Sequence, residues 1–235
     1  MTKLKLDLAD VWDFADPRDI PAYTIPEAAH YLCIPKATLR AWVLGQRGRH
    51  DFKHVIDLSH PESHLLSFYN LAEAHVLRSL RTKHEIQLPR IRKALQFVKK
   101  RFGWKRPLIQ QEFKTDGLHL FVERLEQVVV ASAEGQLVLR DIMLHLERIE
   151  WEDNVAARLY PFTRTDPQNA PKSVIIDPRH SFGRPILRDA RIATAIIAER
   201  YKAGESVQAL ADDYGCSNLD VEEGIRCELR LSTAA

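Results

Sequence analysis

The sequence predicts an α+β protein, mostly helical. An N-terminal winged helix-turn-helix leads, a middle β-hairpin region follows, and a small helical C-terminal domain carries a second helix-turn-helix. Three observations lead there. Stretches bearing proline and capping residues, with apolar residues at helical spacing, dominate both ends of the 235-residue chain. Turn signals separate short apolar runs across residues 108–170. Charge is split: residues 71–107 hold eleven Lys and Arg against two acidic side chains, and 36–54 hold five against one. Residues 108–170 hold six against eleven, and 171–235 nine against ten. A basic first half suits a polyanion, and a neutral-to-acidic second half suits a different partner.

Residues 1–22 form an arm in which Leu4, Leu6 and Leu8 alternate with charges, ending in the Pro-punctuated DPRDIP. Residues 23–107 read as one module. IPEAAHYL begins a helix with Pro26 in its first turn and Glu27 at its positive end. Cys33-Ile34-Pro35 breaks it, and KATLRAWV is a second helix. Residues 50–68 alternate weakly around HPES and suggest a β-hairpin. Asn70 is placed to cap LAEAHVLRSLRTK. Pro89 opens another helix, with Ile91, Ala94, Leu95, Val98 and Phe102 on one face, closed by Gly103 and Pro107. Residues 108–170 read mostly as hairpins, with KTDG and AEGQ as turns between LHLFVE, QVVVAS and QLVL; Leu139 to Ile149 fits a helix equally well. TRTDPQNAPKS is a polar linker. Residues 171–235 are helical after an extended entry at Val174-Ile175-Ile176.

A helix-turn-helix needs a small residue where its helices cross, an apolar seal, and polar residues on the open face of the second helix. Ala29 is the small residue, Ala28, Leu32, Ile34, Leu39 and Trp42 are the seal, and Lys36, Thr38 and Arg40 remain for a groove or its walls. Cys33 stands where a turn glycine is usual. YTIPEAAHYLCIPKATLRAWV, followed by LLSFYNLAEAHVLRSLRTKHEIQLPRIRKAL, resembles the opening of the MerR family over residues 23–102. That resemblance implies double-stranded DNA binding, with Arg40 bracing a phosphate, Arg47, Arg49 and Lys53 on a wing, and Tyr69 touching the backbone. The long dimerisation helix and cysteine-rich effector loop of that family are missing after Phe102.

In the second helix-turn-helix, Ser206 caps a helix burying Val207, Leu210, Ala211 and Tyr214, which Gly215 ends. Ser217 and Asp220 form a short capping box for a helix burying Val221, Ile225 and Leu229. Asp220, Glu222, Glu223 and Glu228 are expected on its surface, where they would repel phosphate, so this copy reads as a dimerisation or protein-docking element. Asp177-Pro178, Gly183-Arg184-Pro185, Arg191-Ile192 and Gly204-Glu205-Ser206 resemble the domain of unknown function four-three-three over residues 173–231. Phe182 departs from that pattern's first glycine, and Asp189-Ala190 from its Gly-Thr. A MerR-like reader joined to this domain resembles a branch of VapB-type antitoxins. The resemblance implies a homodimeric type II antitoxin that represses its own operator and blocks a PIN-like ribonuclease toxin. Arg179, Arg184, Arg188, Arg191, Asp220, Glu222 and Glu223 are the docking candidates. The alternative is a stand-alone MerR-like regulator whose C-terminal domain only dimerises.

Other classes are disfavoured. The sequence has no Gly-rich phosphate loop, nucleophile elbow or HExxH, so no enzyme is expected. His50/His54 and His60/His64 are spaced for a metal on a helix, yet fall in a wing and loop, so no metal or cofactor is expected. Asp212-Asp213 and the Glu147, Glu150, Glu152, Asp153 cluster read as solvated faces. No apolar run is long enough for a membrane span, and Cys33, Cys216 and Cys227 form no disulfide or metal pattern, so a cytoplasmic, soluble chain is expected.

Overall fold

The computed structural model describes residues 16–45, 53–82, 84–125, 133–164 and 166–229. Two short helices, α1 (Ile25–Tyr31) and α2 (Lys36–Leu44), open the described chain. They precede α3 (Phe68–Thr82) and α4 (Leu88–Phe102), then α5 (Gly117–Glu123) and α6 (Ala133–Leu146). An antiparallel hairpin of β1 (Ile149–Glu152) and β2 (Val155–Leu159) follows. β3 (Val174–Ile175) pairs with β4 (Ile186–Leu187), and α7 (Thr194–Lys202), α8 (Val207–Tyr214) and α9 (Asn218–Leu229) complete the fold. The architecture is α+β and mostly helical, as expected.

α3 is the axis of the first core. It is buried on nearly every side, Asn70, Glu73, His75 and Ser79 included, and packs against α6, β2 and the turn at Pro107–Ile109. Its polar residues are satisfied inside: Asn70 donates to the Asp57 carbonyl (2.9 Å) and Ser79 to that of Val76 (2.7 Å). The cap is Ser67, not Asn70. The Asn70 amide donates to Ser67 Oγ (3.4 Å), and Asn70 Oδ1 accepts from the Ser67 amide (3.1 Å), so Asn70 is the returning partner of the capping box.

Three expectations are corrected. The wing hairpin over 50–68 has no strand ladder among its described residues. Pro61–Ser63 is a 3-10 turn ended by left-handed His64, after which Leu66 pairs with Tyr23. Val55 and Ile56 donate instead to the Trp42 carbonyl (2.8 and 3.1 Å). The hairpins expected over LHLFVE and AEGQLVL are α5 and α6. Leu118, Phe121, Val122 and Leu125 are all buried at spacings of three, four and seven, a helical stripe that local alternation imitates; QVVVAS, residues 127–132, lies outside the described residues. The described hairpin sits later, where Asp153 (φ 51) and Asn154 (φ 64) make the doubly left-handed two-residue turn that matches strand twist.

The first core runs without interruption from Tyr23 to Ile176, across the boundary expected after residue 107. A second core of Val174, Leu187, Ile197, Leu210, Ala211, Val221, Ile225 and Cys227 lies among α7–α9. Within the first core Leu159 and Ile176 exchange backbone hydrogen bonds at 3.0 and 2.8 Å, and Ile176 directly follows β3, whose Val174 belongs to the second core.

Candidate functional site

The N-terminal helix pair is closely specified. Thr24 caps α1 in a full capping box: the Glu27 amide donates to Thr24 Oγ1 (3.3 Å) and the Thr24 amide to Glu27 Oε2 (2.9 Å). Cys33 adopts φ +51, the left-handed turn conformation glycine usually supplies, and the Ile34 amide donates to the Ala29 carbonyl (2.9 Å). Ala29 is buried at the crossing, sealed by Ala28, Leu32, Ile34, Leu39 and Trp42. Lys36 and Arg40 stand exposed on α2 with Thr38 half-buried between them, and neither cation finds an ionic partner among the described residues.

Behind α2, the segment 53–57 lies along α4. Arg92 donates to the carbonyls of Lys53 and His54, and Lys99 Nζ reaches Asp57 Oδ2 at 2.9 Å. Lys53, His54, Arg92, Gln96 and Lys99 line a shallow cleft of about 140 Å³. Lys53 therefore lies beside α4 in this cleft and not on the hairpin wing expected for it. Arg47 and Arg49 lie outside the described residues.

Tyr69 is placed differently. Its hydroxyl donates to Asp16 Oδ2 (2.8 Å), and its ring lies between the guanidinium groups of Arg18 and Arg106, 5.6 and 5.7 Å away. Burial and the Asp16 carboxylate push the phenol up. Tyr69 thus fastens the 16–19 segment. Arg106 is likewise used internally, donating to Glu73 (2.7 Å) and Ser59 (2.9 Å), so part of the basic excess is structural.

The docking candidates divide. Arg179 pairs with Glu152, Arg184 with Glu27 (2.7 Å), and Arg188 with its neighbour Asp189 (2.9 Å). Arg191 is exposed at φ +58 in the tight connection after β4. Asp220 accepts from Ser217 Oγ (2.6 Å), and Glu222 pairs with Arg226 (3.1 Å). Glu223 corrects the expectation of an acidic surface: it is 0% exposed. Burial opposes its charge, but hydrogen bonds from Thr163 and Arg164 outweigh that and hold the carboxyl below its usual range. Glu228 is half-buried against Thr194 Oγ1.

Sequence reasoning missed Arg148. It is 4% exposed and donates to four backbone carbonyls, those of Tyr160 (2.9 Å), Pro161 (3.1 Å), Ala170 (2.9 Å) and Pro171 (2.8 Å). Arg148 thereby ties both ends of the 160–171 segment together, and Thr163 and Arg164 tie its start to Glu223. Nothing local in the sequence signals either, because each partner lies 12 to 60 residues away.

Among the described residues no group of three or more His, Cys, Asp or Glu is arranged to hold a metal, and no helix is long and apolar enough to cross a membrane.

Comparison with known proteins adds the following. Residues 174–226 match the family model described as "Protein of unknown function (DUF433)". A Mycobacterium tuberculosis protein named "Putative antitoxin VapB45" is 32% identical over 219 residues, covering 84% of this chain and 89% of the relative. A second protein from the same organism, "Uncharacterized protein Rv2308", is 23% identical over 219 residues, covering 88% and 90%. The crystal structure of Rv2018 from M. tuberculosis superposes with a TM-score of 0.68 at 30% identity, covering 88% of this chain and 98% of that one.

Proposed function

The chain belongs to the VapB45 family and carries a DUF433 domain at residues 174–226, and from that premise we propose that it is the antitoxin of a type II toxin–antitoxin pair. In this reading it is a cytoplasmic homodimer that binds operator DNA as its own repressor and neutralises a PIN-like ribonuclease toxin. The observation that carries the DNA half is the α1–α2 pair. Its crossing is sealed around Ala29, and its open face bears Lys36, Thr38 and Arg40. This is the arrangement a MerR-like helix-turn-helix reader uses to set a second helix in a major groove. Lys53 and Arg92, in a cleft shared with the Lys99–Asp57 pair, extend the same sign of charge for phosphate contact. The toxin half rests on the relative's name and on the C-terminal domain, whose surface is neither basic nor shaped for phosphate: Glu222 with Arg226, Asp220 with Ser217, and the paired Arg179 and Arg188.

The test uses the whole chain, since the first core crosses residue 107 and a fragment cut there would expose α3. Binding to DNA from upstream of its own gene is measured at two salt concentrations. Lys36→Ala and Arg40→Ala should each weaken it, and Arg40→Ala should also lower the salt slope by about 1 if it holds a phosphate. Unchanged affinity in both variants removes the reader from this account.

A further inference from the structure

The most exposed large apolar side chain among the described residues is Phe182, at 92%. It stands on a turn that is both strained and pinned. Ser181 (φ 48), Phe182 (φ 53) and Gly183 (φ 73) are consecutive left-handed residues, a conformation that is sterically costly for any side chain and more so for a bulky one. The surrounding contacts hold it there. Asp177, itself 1% exposed, accepts from the Arg179 amide (2.9 Å) and is gripped by Arg158 Nε (2.8 Å). The Gly183 amide donates to the His180 carbonyl (2.8 Å). The Gly183 carbonyl accepts from the buried Tyr23 hydroxyl (2.9 Å), so closely that a Cβ at 183 would collide with it. Arg184 is held by Glu27. An outlier over-determined by its surroundings points to use, and a rigid aromatic loses little entropy when it is covered.

We propose that Phe182 is the anchor by which the C-terminal domain grips its toxin, inserting into an apolar socket on that protein. This rests on the antitoxin reading above. The flanking charges favour a protein over DNA: Arg179 and Arg184 are each neutralised by a carboxylate, Glu152 and Glu27, so the turn offers phosphate no net attraction. The same pairs make a fixed polar rim about an apolar centre, the pattern of an interface hot spot. They also remove Arg179 and Arg184 from the role of inserted side chain.

The probe is the nuclease encoded by the adjoining gene, in a form lacking its active-site carboxylates so that both proteins can be made. Affinity is read by calorimetry with the full chain, alongside thermal midpoint, self-association and upstream-DNA binding. Phe182→Ala should weaken capture by about 30-fold or more and leave the other three unchanged, while Phe182→Trp should stay within about 3-fold of the natural chain. Phe182→Gly should also lose capture but raise the thermal midpoint, because the left-handed strain is relieved. If the natural chain captures the nuclease and Phe182→Ala does so equally well, the anchor is elsewhere and only this inference is overturned. If the natural chain captures nothing, the antitoxin reading fails and the anchor with it. A lowered midpoint in Phe182→Gly, or loss of self-association or DNA binding in Phe182→Ala, would reassign Phe182 to packing, dimerisation or DNA contact and overturn the proposal.

Discussion

Replacing Arg148 by Met keeps much of the stem's volume while removing four hydrogen bonds from a charged donor to the carbonyls at both ends of the 160–171 segment. Each such bond contributes about 1.5–3 kcal/mol. Against them stands the cost of burying the ion, which pushes its pKa down to about 10, a penalty of about 3 kcal/mol on the charged form. The difference is about 3–9 kcal/mol. Part of it returns when the part-buried Ala170 and Pro171 carbonyls regain water, so a net loss of about 3–5 kcal/mol is expected. For a chain of this size that is a fall in thermal midpoint of about 6–20 °C. Arg148→Lys, which retains charge but reaches fewer carbonyls, should fall between. Circular dichroism melts and urea titrations of the three proteins measure this directly. A loss under about 1 kcal/mol for Arg148→Met would mean that the linker is held by its other contacts, and the clamp described here would be refuted.

Two further outcomes follow from buried groups. His75 is enclosed, and burial followed by the neighbouring His145 drives its pKa well below the usual histidine value. The native state thus stays unprotonated while the unfolded chain takes up a proton below about pH 6.5, so stability should decline as pH falls through that point, by up to about 1.4 kcal/mol per pH unit from this group. His75→Gln should flatten the slope in urea titrations between pH 7 and pH 5, and an unchanged slope would contradict the assignment. Gly183→Ala should destabilise the fold by about 2 kcal/mol or more, because it combines φ +73 with a clash against Tyr23. Tyr23→Phe should lose only about 1 kcal/mol with its hydrogen bond; equal losses in the two would show that the clash is absorbed.

The features legible in the sequence were those fixed by near neighbours. Pro26 and Glu27 mark the start of α1 from adjacent positions, and Ser206 and Gly215 bracket α8 in the same way. Residues 117–125 mislead because LHLFVE alternates over a window too short to separate the two periods, whereas the helical alternative at Leu139 to Leu146 is the one the structure adopts. The burial of Leu118, Phe121, Val122 and Leu125 against one another and their neighbours decides for the helix. The true hairpin turn, Asp153-Asn154, was present in the sequence but hidden inside a run of acidic residues that read as a solvated face. Side-chain roles set by distant partners were not legible. Tyr69 looked available for a phosphate because its partner Asp16 is 53 residues away, and Glu223 looked exposed because Thr163 is 60 residues away. Charge counting likewise could not separate Arg106, spent on Glu73 inside the protein, from Lys36 and Arg40 on the surface.

Neutralisation of a ribonuclease is the central step of the proposed function. The most direct measurement is RNA cleavage by the purified nuclease from the adjoining gene, titrated with the full chain at fixed enzyme and with DNA absent. The account predicts that cleavage falls to background at a fixed, near-stoichiometric ratio of chain to nuclease. Cleavage undiminished at a large excess of the chain would contradict it.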